Sequence, residues 1–183
     1  MATTEVPITI VSAANVGGLS QVVIGKQTYA WPTVQEMSYW FSVYDRFTLQ
    51  QVYSYVQSGQ VHTVPADLAG KFNTNQYFFV MATRSIGAWY IPSGPLYTFL
   101  VQHGAGKALK TLSQALMQIG CGSLNTVTYA MAGVLGPGIT TPGNVEASAM
   151  STTRPLILEA TLIGVPVPQG TSYSPVPLTA PTP

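Results

Sequence analysis

The sequence predicts an α+β domain: a compact β-sheet body carrying two main helices, followed by an extended proline-rich tail. Three observations lead there. Short runs with apolar residues at every second position recur over the first 165 residues, two stretches carry apolar residues at helical spacing, and six prolines fall from Pro166 onward with no charge among them. Hydrophobic residues make up 46% of the 183, ample for one core. Residues 1–165 therefore read as a single domain and 166–183 as an extended, polyproline-like tail or arm.

Val6 to Val11 places apolar residues at 6, 8 and 10 on one side of a half-buried strand, with Pro7 arguing for an edge or a late start. Gln21 to Ile24 reads as a second strand, Gly25-Lys26 as its turn, and Gln27 to Trp31 as its continuation until Pro32. Met37 to Tyr44 sets Tyr39, Phe41 and Val43 against Ser38, Trp40 and Ser42, again a strand. Next comes the strongest helix signal: Thr48 as cap, Gln51 completing a capping box, Phe47 stapling onto Val52, and Leu49, Val52, Tyr53 and Val56 forming one apolar stripe to about Ser58. Tyr77 to Ala82 is an unbroken apolar run, as expected of a strand buried on both faces. Leu109, Leu112, Leu116 and Ile119 mark the second helix, with Gly120 at its left-handed end. Thr126 to Val134 supplies a strand, Gly136-Pro137-Gly138 a turn, and Ile139 to Thr153 a polar loop. Leu156 to Ile163 is the last strand, with Leu158, Ala160 and Leu162 on one face and Glu159 on the other.

Only seven Lys or Arg and six Asp or Glu occur, giving a net charge of +1. A dispersed monomer normally keeps a mixed charged surface and a net charge away from zero. The exterior must instead be Ser, Thr, Gln, Asn and Tyr, or be covered by neighbours. The basic residues Lys26, Arg46, Lys71, Arg84, Lys107, Lys110 and Arg154 are scattered, which argues against a nucleic-acid partner. No segment reads as a membrane span or as a signal peptide, and no solenoid-length repeat is present.

The chemistry-bearing residues are sparse. Cys121 is alone, so an intrachain disulfide is excluded; it reads as a small hydrophobe at a helix–strand junction. His103-Gly-Ala-Gly-Lys107-Ala resembles a phosphate loop, but Val101 stands where the leading glycine belongs and Ala108 where the Mg²⁺-binding hydroxyl belongs. A loop leading into a helix explains its glycines. His62 and His103 lack metal-binding spacing, no Gly-x-Ser-x-Gly elbow occurs, and the six acids are mostly isolated. Asp45-Arg46 reads as a local ion pair or turn. The expectation is a non-enzymatic protein without cofactor or metal. Trp31, Trp40, Trp89, Tyr90 and Tyr97 are the candidate stacking surfaces for sugars or protein interfaces, with Trp89, Tyr90 and Tyr97 chosen as contact residues.

The order of elements resembles the interleukin-like EMT inducer, or PANDER-like, domain. The matching stretches are Gln21 to Gly25, Phe41 to Gln57, Tyr77 to Thr83, Lys107 to Gly122, Val127 to Gly138 and Pro155 to Pro166, the last ending in a Glu159-x-x-x-x-Gly164-x-Pro166 pattern. The resemblance implies two β-sheets, mostly antiparallel, with helices packed around them, and carries over no catalytic residue. It covers cytokine-like secreted proteins, a sugar-binding stem module, and bacterial or phage virion and surface proteins. The missing cysteines, the low charge and an insertion near 85–105 point away from hormone-like signalling. The leading expectation is a structural subunit of a self-assembling particle, in a virion tail or capsid or an extracellular filament, partnered by its own copies and other structural subunits. The alternative is a carbohydrate-binding module of a surface or attachment protein.

Overall fold

Among the described residues the chain runs β1 (Thr4–Ser12), β2 (Gln21–Ile24), β3 (Gln27–Ala30), β4 (Ser38–Asp45), β5 (Gln51–Ser58), α1 (Ala66–Ala69), β6 (Tyr77–Arg84), a 3₁₀ turn (Ala88–Tyr90), α2 (Gly94–Gln102), α3 (Lys107–Ile119), β7 (Val127–Val134), β8 (Asn144–Met150), β9 (Leu156–Val167) and β10 (Gly170–Pro177). The computed structural model describes residues 4–14, 18–32, 35–119, 127–137, 144–150 and 153–178. The strands form two five-stranded sheets, sheet A in the order β10-β9-β1-β2-β3 and sheet B in the order β5-β4-β6-β7-β8. All the ladders are antiparallel.

Sheet B is the middle layer. Trp40, Tyr44, Phe78, Val80, Ala130 and Ala132 point from it into a core shared with Ile8, Ile10, Val22, Leu158 and Leu162 of sheet A. Alternate residues of the same strands, Tyr39, Phe41, Phe79, Met81, Tyr129 and Met131, point to a second core closed by Leu96, Phe99 and Leu100 of α2 and Leu109 and Leu112 of α3. Strict alternation of large apolar side chains into two cores explains why these strands read as continuous hydrophobic runs. Ser12 of sheet A hydrogen-bonds Thr83 of sheet B through its hydroxyl, and the Thr83 hydroxyl accepts from Tyr129 N at 2.8 Å, tying the layers at one end.

Four expectations need correction. The capped helix over Thr48 to Ser58 is the strand β5. Asp45, not Thr48, is the capping group: its carboxylate accepts from Phe47 N at 2.8 Å and Thr48 N at 3.0 Å. The single turn this creates ends at Leu49, whose φ of +59° leaves the helical region. Val52, Ser54 and Val56 alternate with Tyr53, Tyr55 and Gln57, and pairing with β4 satisfies that β-branched and aromatic run. Helix-period and strand-period patterns coexist here, and tertiary pairing decides.

The expected tail is, through Pro177, the end of β9 and the edge strand β10, so the boundary expected after residue 165 falls inside a strand. Tyr173 donates its N–H to the Arg46 carbonyl beyond the sheet, so Tyr173 and, two and four residues on, Pro175 and Pro177 turn their backbone outward. Their missing donors cost the β9 ladder nothing. Pro166, opposite Thr171, faces the side where β1 has already ended. Pro7, expected to mark an edge or a late start, lies inside the internal strand β1, which begins at Thr4; its carbonyl accepts from Gly25 N at the β2–β3 turn, so its absent N–H falls just past the β2 ladder.

The polar loop expected over 139–153 contains β8. The insertion near 85–105, whose role the sequence left open, covers the core: Ile86, Ile91, Leu96, Phe99 and Leu100 belong to the second core. The expected helix stop at Gly120, Cys121 and Gly138 of the expected turn lie outside the described residues.

Candidate functional site

The three chosen aromatic residues do not form one surface. Trp89 is 74% exposed. Tyr90 and Tyr97 pack against the second core, and the Tyr90 hydroxyl accepts from Gln60 Nε2 at 3.3 Å. Trp31 and Trp40 belong to the inter-sheet core, their rings 5.4 Å apart. Of the five stacking candidates, only Trp89 offers an open ring face.

A cleft of about 1100 Å³ lies between the β4–β5 turn, the segment before β6 and the β9–β10 hairpin. Arg46, Phe47 and Gln76 line one side, and Ile163, Val165 and Ser174 the other. Arg46 is half-buried and donates through Nε to Tyr173 O at 2.7 Å, and through its two terminal nitrogens to Asn75 O at 2.7 Å and Ser174 Oγ at 2.6 Å. Burial lowers its pKa, although not enough to discharge a guanidinium. For Asp45, burial raises the pKa, but hydrogen bonds from Gln76, Thr48 and Phe47 outweigh it and hold the carboxyl below its ordinary value. Of the ion pair or turn expected at Asp45-Arg46, the structure has the turn: each charge is satisfied by neutral partners. The cleft presents hydroxyls, amides and a branched aliphatic wall.

The glycine loop before α3 leads into that helix, as expected, and an internal anion occupies its start. One Glu146 carboxylate oxygen accepts from Gly106 N at 2.9 Å and Ala108 N at 2.8 Å, and the other from Leu109 N at 3.3 Å and the Tyr129 hydroxyl at 2.9 Å. A carboxylate on exposed N–H groups at a positive helix end is a stabilising arrangement. The Tyr129 hydroxyl is held well above its ordinary pKa, by burial first and then by the Glu146 charge. Sequence reading missed Glu146 because its partners at the start of α3 lie about 40 residues away; the only sign was a helix start with no Ser, Thr, Asp or Asn cap. His103 instead caps the end of α2: its backbone N–H lies 3.1 Å from Phe99 O and from Leu100 O, and its Nδ1 lies 2.8 Å from Phe99 O. Among the described residues, no cluster of His, Cys, Asp and Glu could hold a metal, and no helix is long and apolar enough to cross a membrane.

The four sheet edges are treated differently. β3 is four residues long, and β8 carries Glu146 and hydrogen-bonds the start of α3 through Ser148. β10 has Pro175, Pro177 and the Arg46 clamp. Each of these is a known way to blunt an edge. β5, Gln-Val-Tyr-Ser-Tyr-Val-Gln-Ser, has no charge and no proline. Gly59 N donates to Met37 O at 2.6 Å and Asp45 N to Gln50 O at 3.0 Å, opposite phases along this edge, and between them the register shifts by one residue at Val52, a β-bulge. Tyr53, Tyr55 and Gln57 bond β4, whereas Ser54 and Val56 turn their N–H and C=O groups outward, and the bulge at Val52 blunts the start of this edge.

No protein-family model matches the chain, and no curated protein matches it. The Phe41 to Gln57 stretch, which carried a capped helix in the PANDER-like order, is here the β4–β5 hairpin.

Proposed function

We propose that the chain is a non-enzymatic structural subunit of a self-assembling particle, of the virion tail, capsid or extracellular filament kind, with copies of itself and other structural subunits as partners. The observation that carries this reading is the solvent side of sheet A. Its five strands contain two charged residues, Glu5 and Glu159. Ile157 and Val165 stand 57% and 52% exposed there. A broad face with so little charge favours coverage by a neighbour over dispersal. The PANDER-like resemblance supports the same reading through the phage and surface proteins of that group. Light scattering and negative-stain electron microscopy over a concentration series test it. Defined, concentration-dependent particles are expected; a dispersed monomer at every concentration sinks the reading.

Trp89 favours a second reading, carbohydrate binding, because an open indole face can stack on a sugar ring. Saturable glycan binding that is lost in Trp89→Ala is its expected signature. Binding unchanged by that substitution removes its basis.

A further inference from the structure

We infer that the cleft between the β4–β5 turn and the β9–β10 hairpin binds a small aliphatic monocarboxylate, with its carboxylate on Arg46 and its hydrocarbon chain along Ile163, Val165 and Val167. The inference stands apart from the assembly reading and needs no second copy.

Arg46 is the group that lacks an anion. Its guanidinium is half-buried, yet its partners are all neutral: Tyr173 O, Asn75 O and Ser174 Oγ each take one N–H, one from each nitrogen. The two N–H groups left on the terminal nitrogens have no partner among the described residues. A partly desolvated guanidinium is matched best by a carboxylate, which accepts charge-assisted hydrogen bonds from its planar fork. Asp45 does not take that place. It lines the same cleft, but Phe47 N, Thr48 N, Thr48 Oγ1 and Gln76 Nε2 occupy its carboxylate, and it forms no ion pair with Arg46.

The register of the hairpin places the hydrocarbon half. Ser174, which Arg46 holds, faces Ile163 across the ladder, and Ser172 faces Val165. Ile163, Val165 and Val167 thus form one aliphatic row that starts beside the guanidinium and runs along β9, about 13 Å from first to last at strand spacing. Ser172 and Ser174 run beside it on β10, so the floor of the cleft is apolar along one strand and hydroxylic along the other. Val165 is 52% exposed, and a chain laid on the row takes from water an apolar surface that the fold leaves open. The volume, about 1100 Å³, accommodates such a ligand.

The test titrates sodium octanoate into a dilute solution of the isotope-labelled full chain and follows the amide chemical shifts. Saturable binding is expected, with the shift changes gathered on residues 45–48, 75–76 and 163–176. Hexanoate is expected to bind about fivefold more weakly or worse, because it leaves part of the row in water. 1-Octanol is expected to bind about tenfold more weakly, because it brings Arg46 no charge. Val165→Glu puts a carboxylate on the row at an exposed position; thermal unfolding is expected to show it folded, and its octanoate binding to be lost. Trp89→Ala, outside the cleft, is expected to bind octanoate like the wild type. Absence of saturable binding, octanol bound as tightly as octanoate, binding that survives Val165→Glu, or binding lost in Trp89→Ala each overturns the inference. Light scattering on the ligand-free chain reads assembly separately, so either reading can fail without the other.

Discussion

The central strands of sheet B are buried on both faces and sheet A on one, and this difference sets what each strand tolerates. In β4, β6 and β7 nearly every side chain is enclosed, whichever way it points. In β9 burial alternates, with Leu158, Ala160 and Leu162 enclosed and Ile157, Glu159 and Val165 in solvent. The lesson is that an apolar residue on β4, β6 or β7 of sheet B is a core residue, whereas an apolar residue on the outer face of sheet A contributes to the surface and not to the fold.

The sharpest way to break this comparison is a pair of truncations. Phe79→Ala removes a ring enclosed between sheet B and α2, within 5.6 Å of the Phe99 ring and 5.9 Å of His103. A loss of about 3–5 kcal/mol is expected, enough to unfold much of the protein. Ile157→Ala on the outer face of sheet A is expected to stay within about 0.5 kcal/mol in denaturant unfolding. Equal losses would mean that sheet A's outer face is covered in the folded protein.

Arg46→Ala tests the join between the layers. It removes two hydrogen bonds through which the β4–β5 turn of sheet B holds β10 of sheet A, and a third to Asn75 O before β6. A loss of about 1.5–3 kcal/mol is expected, with faster amide exchange concentrated in β10. Arg46→Lys recovers little of it, because one ammonium cannot span the three acceptors. Unchanged exchange in β10 would show that the hairpin is held by β9 alone.

Gly133→Ala probes how closely the helix layer approaches sheet B. A Cβ at Gly133 would lie 2.5 Å from the His103 carbonyl oxygen, a backbone atom at the end of α2. Moving α2 away costs about 1–3 kcal/mol. Wild-type stability in this variant would mean that α2 can slide over the sheet.

The two sheets were also unequally legible in the sequence. β1, β2, β4, β6, β7 and the body of β9 follow from period-two patterns and apolar runs, because their burial is dictated by their own residues. β5 was hidden by a true local signal, a capping sequence that Asp45 uses for one turn before Leu49 reverses it. β10 was hidden by prolines whose cost vanishes only on the outer side of an edge strand, a fact about its neighbours. The candidate sites were less legible still. Arg46 needs Tyr173 and Ser174, and Glu146 needs the start of α3.

The smallest expected effect is a pH dependence that separates the helix layer on sheet B from the exposed β4–β5 turn. His103 packs on Phe99 and Phe79; burial lowers its pKa, and the bond to Phe99 O only partly opposes this. A histidine with a depressed folded-state pKa binds its proton more readily when unfolded, so its contribution is complete above the unfolded value, about 6.5, and declines as the pH falls through the folded value. Asp45, also depressed, contributes by the same sign in a lower window, starting near its unfolded value of about 3.9. Thermal unfolding followed downward in pH should therefore show two declines, the first below about pH 6.5. His103→Leu is expected to abolish the first decline and keep the second, whereas Asp45→Asn does the reverse. If His103→Leu leaves the first decline in place, the helix layer does not carry it, because a buried neutral imidazole is the group that must take up a proton there.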